Sequence, residues 1–158
     1  MSAEENSYNL INLNNNNKIN ADDKSSMPYN LEAEQSFLGA ILFDNTTIEN
    51  TMDLIKDYHL YEPLHQEIYQ ACLILFDNNK LADPTTLKGY LRDKNPNRKI
   101  DISDYLNKLK GSVLSISNIN SYANEIKNCY LRRCLVRISD DIKESSLNIK
   151  ICLLYTSP

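Results

Sequence analysis

A chain of 158 residues holds one domain plus appendages, since domains commonly run about 100 to 150 residues. Its formal net charge of −4 argues against a domain built around phosphate contacts, which carries a basic stripe or face, although a local basic patch is compatible with it. No apolar run approaches the roughly 18 residues needed to cross a bilayer, and the N-terminus opens on acidic and Asn-rich residues; the expectation is a soluble cytoplasmic protein without membrane contact.

Residues 1–28 are rich in Asn, Ser, Asp and Glu, include Asn14 to Asn17, and show no periodicity long enough for a packed helix. They read as a disordered tail. Pro28 closes it, because it disfavours helix in Met27 and a capped helix starts just after. Asn30 can cap that helix, Glu32 and Glu34 place negative charge at its positive end, and Phe37, Leu38, Ile41 and Leu42 recur at helical spacing. The helix is expected over Leu31 to Phe43, with one apolar face. Asp44-Asn45-Thr46-Thr47 supplies turn and cap residues for a short second helix containing Ile48, Met52 and Ile55.

Asp57-Tyr58-His59-Leu60-Tyr61 forms a dense aromatic linker. Pro63 suits the first turn of a third helix, whose Leu64, Ile68, Ala71, Cys72, Leu75 and Phe76 form one stripe until Asp77-Asn78-Asn79 ends it. Asp83-Pro84 repeats the cap-then-proline start for a helix with Leu87, Tyr90 and Leu91, and Asp93 to Asn97 reads as a surface loop. Ile102, Tyr105, Leu106 and Leu109 mark a fifth helix that stops at Gly111. Asn118 is positioned to cap the last and longest element, in which Ile119, Tyr122, Ala123, Ile126, Tyr130, Cys134, Ile138 and Ile142 sustain a helical stripe without Gly or Pro. Only Ser112 to Ser117 tempts a strand reading. The fold class is all-α: a compact bundle of about six helices over residues 29–147, the last one long, with a core centred on Phe37, Leu38, Ile41, Ile68, Cys72, Leu75 and Leu106.

The segment Asn30-Leu31-Glu32-Ala33-Glu34-Gln35-Ser36-Phe37-Leu38-Gly39-Ala40-Ile41-Leu42 resembles the opening signature of the N-terminal domain of the DnaB family of bacterial replicative DNA helicases. Asp57 to Tyr69 is similar to the family's acidic and aromatic run, with His65 where a His is expected before the central helix. Leu81 to Leu87, Asp104 to Leu109, and Asn118 to Ala123 running on to Arg132-Arg133 resemble the later blocks, in the same order and register. One departure is Ile102-Ser103-Asp104, where the family usually has a Gly pair. The resemblance implies a parent that forms a ring-shaped hexamer, binds ATP and Mg, hydrolyses the nucleotide and unwinds DNA at the fork. It also implies N-terminal domains that form a collar for self-association and meet primase and a helicase loader, while DNA is gripped by a separate motor domain.

That motor binds nucleotide through a Gly-rich phosphate loop. Gly39, Gly89 and Gly111 lie far apart, and none precedes Lys-Ser or Lys-Thr, so no cofactor-binding or catalytic residue is assigned. Ile151 to Pro158 leaves the family pattern, and residues 148–158 are expected to be the start of a linker or a non-native read-through tail, with the ATPase half missing.

Cys72, Cys129, Cys134 and Cys152 show neither disulfide-framework spacing nor a C-x-x-C pair and read as buried reduced thiols; with His59 and His65 they do not make the paired ligand spacing of a zinc site. His65 is expected to hydrogen-bond the Tyr58 to Tyr61 linker against the central helix. Asp57, Glu62, Glu67 and Asp83 lack a nucleophile or phosphate cradle, and capping accounts for Asp83. Arg132, Arg133, Arg137 and Lys143 concentrate positive charge on the last helix, for DNA phosphates or an acidic partner, or as a solvated face with pairs such as Arg137 and Asp141. Tyr58 and Tyr61 suit an interface as well as a core. The interface candidates are Tyr58, Tyr61, His65, Tyr130, Leu131, Arg132, Arg133 and Leu135. They fit a scaffold and interaction domain; the rival is a free-standing helical adaptor that binds a partner helix.

Overall fold

The computed structural model describes residues 27–94, 101–113 and 117–147. Helices account for its regular structure: α1 Leu31–Phe43, α2 Thr47–Thr51, a single 3-10 turn at Asp57–His59, α3 Pro63–Asp77, α4 Pro84–Lys94, α5 Ile102–Gly111 and α6 Ile119–Leu147. No strand occurs among the described residues. The expected tail, the read-through segment with Cys152, the centre of the Ser112 to Ser117 run and most of the Asp93 to Asn97 loop lie outside the described residues. The described part of that loop, Asp93 and Lys94, continues α4.

α1 is the hub of the bundle, packing on α6, α5 and α3. Asn30 Oδ1 accepts the Ala33 N–H at 3.0 Å, and Phe37, Leu38, Ala40 and Ile41 have no exposed surface. Burial reaches Ala33, Glu34, Gly39 and Leu42 as well, so this helix is covered on most of its circumference, beyond the single apolar face expected. Gly39 permits that. A Cβ there would fall inside contact distance of the Leu109 carbonyl oxygen and 2.7 Å from Val113 Cγ2, so only glycine lets the backbones of α1 and α5 approach this closely.

α2 stops at Thr51, so the helix is shorter than expected: Met52 is its exposed cap and Ile55, beyond it, is fully buried. Pro63 opens α3, where the missing N–H costs nothing. Asn79 closes α3 in the left-handed region, φ 54°. The Lys80 N–H donates to Leu75 O at 2.8 Å and the Asn79 N–H to Phe76 O at 2.9 Å, which satisfies carbonyls the helix itself cannot. Leu75 is only partly buried against the core, because its turn is the one nearest this exposed end. The Asn45 side chain bridges back to this region, accepting the Ala82 N–H at 2.6 Å and donating to Ile41 O at 2.8 Å.

Asp83 caps α4 by accepting from Thr85 and Thr86 N–H at 2.7 and 2.9 Å. Asp101 does the same for α5 through Ser103 and Asp104. α5 ends without a left-handed glycine: Gly111 is its last residue and the cap is Ser112 at φ −82°. α6 is 29 residues long, roughly 40 Å at about 1.5 Å per residue. Its buried residues are Ile119, Ala123, Ile126, Cys129 and Arg133. Beyond Arg133 the helix leaves the core.

Candidate protein-interaction surface

A buried carboxylate must be matched by donors. Glu34 Oε1 accepts the Tyr61 N–H at 2.6 Å, and Oε2 accepts the Glu62 N–H at 3.3 Å and faces His65 Nδ1 at 2.6 Å. On its other side His65 Nε2 meets the Tyr105 hydroxyl at 2.6 Å, and Gln35 Nε2 donates to that same oxygen at 3.3 Å. The chain closes with Tyr105 donating to Nε2 and His65 donating from Nδ1 to the carboxylate. Burial, with the negative charges of Glu62 and Glu34, holds the Tyr105 hydroxyl above its ordinary value against the Gln35 hydrogen bond, which keeps its proton available. The sequence expectation for His65 is corrected in one respect: it does not bond the aromatic linker. Glu34 holds the linker, and His65 orients Glu34.

The linker itself is gripped from α6. Arg133 Nη2 donates to His59 O at 2.6 Å and Nη1 to Pro28 O at 2.8 Å. Its guanidinium lies 5.5 Å from the Tyr61 ring centre and 5.8 Å from that of Tyr130, so a buried cation is matched by two carbonyl dipoles and two ring faces. Tyr29 stacks on Tyr61 at 4.7 Å, and Tyr58 leans on Tyr130 at 5.6 Å.

Beside and past this clamp a stripe of apolar residues of α6 faces solvent, with Val136 half-buried next to it. Leu131, Leu135, Ile138 and Ile142 are 49%, 66%, 53% and 61% exposed. Their spacing of four, three and four places them on one stripe, the pattern that fits a facing helix. Arg132 and Arg137 are exposed beside it. His65 and Glu34 make an ion-pair contact, whereas Arg137 and Asp141, both described, do not form the pair expected of them.

The interface candidates therefore separate. His65 and Arg133 are buried and serve the chain's own packing; Tyr58, Tyr61, Leu131, Arg132 and Leu135 are exposed and Tyr130 is half-buried between them. In the sequence Glu34 reads as a helix-end charge, Pro28 as the end of the tail and Asn45 as a turn residue; their bonds to His65, Arg133 and Ala82 join segments 31 or more residues apart and carry no local signal. Cys72 and Cys129 are buried but Cys134 is half-exposed, a correction to its expected burial. Burial pushes the Cys72 thiol up to about 12, and burial with Glu125 beside it raises Cys129, so neither is a nucleophile at neutral pH. Gly39, Gly89 and Gly111 all sit within helices, where they cannot wrap a phosphate; these residues do not fit an ATP and Mg site. Among the described residues no group of three His, Cys, Asp or Glu side chains could hold a metal ion, and no helix is long and apolar enough to cross a membrane.

Residues 26–128 match the model of the DnaB-like helicase N-terminal domain. The chain belongs to that family. The replicative DNA helicase DnaB of Rickettsia prowazekii is 30% identical over 141 residues, 87% of this chain and 29% of the relative; that of Pasteurella multocida is 32% identical over 123 residues, 78% of this chain and 26% of the relative. The crystal structure of the N-terminal domain of DnaB helicase from Mycobacterium tuberculosis superposes with a TM-score of 0.72 at 29% identity, covering 77% of this chain and 86% of that one. The chain spans under a third of the length of these full-length relatives. As a DnaB-like domain, it holds its own fold together through the Glu34 to Tyr105 network and the Arg133 clamp.

Proposed function

We propose that this domain is the scaffold and interaction module at the N-terminal end of a replicative helicase that unwinds duplex DNA at the fork with ATP. In this reading the exposed stripe of α6 serves self-association into the collar of a homohexamer, and the neighbouring aromatic and Arg132 surface is available to primase or a loader. ATP and Mg would act in the motor part of the helicase, beyond what this chain matches in its relatives, and would supply the energy for translocation along DNA. The single observation that supports the reading best is a helix that carries an ordered apolar stripe out of a finished core. An isolated apolar stripe costs solubility unless something packs on it, and a second copy supplies a matching one.

The purified chain should neither hydrolyse ATP in the presence of single-stranded DNA nor unwind a forked duplex. Reproducible turnover that survives a control for contaminating helicase would overturn the scaffold reading.

A further inference from the structure

The turn at Asp57–His59 is closed by an imidazole. The Lys56 N–H donates to His59 Nδ1 at 3.1 Å, which requires a free lone pair on that nitrogen and so a neutral ring with its proton on Nε2. The ring is buried, lies 4.5 Å from the Tyr130 ring and meets the Tyr58 ring edge-on at 4.7 Å. The charges acting on it are Lys127 and Arg133 from α6 and Lys56 and Asp57 from its own turn. From α3, Tyr69 faces the same region with its hydroxyl on Ile55 O at 3.2 Å, and burial keeps that phenol protonated. Three cations thus surround the ring against one carboxylate. The carbonyl of this same residue is one of the two that Arg133 holds.

We propose that His59 is an acid-sensitive latch: a proton taken from solvent onto Nδ1 turns the acceptor of the Lys56 cap into a donor, adds a cation beside Lys127 and Arg133, and loosens the clamp by which α6 holds the aromatic turn and Pro28. Burial first, then Lys127, Lys56 and Arg133, hold the imidazole below its ordinary value of 6.5. The stabilisation of the closed turn is therefore fully present above about 6.5 and is lost as the pH falls below it. Acid opens the junction and neutral pH closes it, without any change in the α1 to α5 core.

The test is an NMR titration of the whole chain from about pH 7.5 to about pH 5, following the His59 ring, the Lys56 amide and the Tyr58 and Tyr130 rings, with His59→Gln beside it, since a glutamine can accept the Lys56 N–H but does not titrate. The expected result is that all four signals move together below about 6.5, with a loss of Lys56 amide protection that approaches but does not exceed about tenfold per pH unit, and that His59→Gln removes this response while His65 is still present. A His59 ring that titrates while the Lys56 amide and tyrosine rings stay fixed would overturn the latch, as would an unchanged acid response in His59→Gln. Should the variant not fold, the titration of the unmutated chain decides by itself.

Discussion

The two halves of α6 carry the same kind of sequence and meet opposite fates. From Ile119 to Arg133, every third or fourth residue is buried against α1 and the aromatic turn; from Leu135 to Leu147 the same apolar spacing stands in solvent. Periodicity alone therefore says where a helix can bury a face, and the extent of the rest of the molecule says where it does. The break falls at a buried arginine. Arg133 ends the packed half because it holds Pro28 and His59, the last pieces of backbone the core extends along this helix.

Substitutions sharpen the contrast when taken from the core outward. Phe37 is completely buried and meets Tyr69 edge-on at 5.4 Å; Phe37→Ala should cost about 3 to 5 kcal/mol, enough to unfold much of a marginal domain. A urea melt giving less than about 1 kcal/mol would remove it from the core. At the border, Arg133→Met keeps a flexible unbranched apolar stem and deletes both hydrogen bonds, leaving the buried His59 carbonyl and the part-buried Pro28 carbonyl without that donor. A loss of about 1 to 3 kcal/mol is expected by the same melt, with faster exchange of the linker amides. Outside the border, Leu135→Asp should change folding stability by no more than about 0.5 kcal/mol.

Much of this was legible in the sequence. The limits of α1, the proline starts of α3 and α4 and the length of α6 follow from caps, prolines and period, which are local signals. What was not legible is the long-range pairing. Glu34 and His65 are 31 residues apart, and Arg133 reaches Pro28 across 105; neither residue type announces burial, because charged side chains are buried only when distant partners meet them. Hence His65 and Arg133, interface candidates on sequence grounds, are both internal. Gly39 was read only as lying too far from other glycines to form a phosphate loop, and its use, a close crossing with α5, needs the position of Leu109. The exposed candidates Tyr58, Tyr61, Leu131, Arg132 and Leu135 owe their accessibility to where the core ends, which a helical stripe does not encode.

The central claim is that the projecting half of α6 is built to meet a second copy. Sedimentation velocity of the chain at rising concentration, with Leu135→Asp in parallel and circular dichroism to confirm equal helix content, tests it most directly. The account predicts concentration-dependent dimers or larger species for the unmutated chain and a shift to monomer for Leu135→Asp. A strict monomer at high micromolar concentration, or assembly that Leu135→Asp leaves untouched, would contradict it.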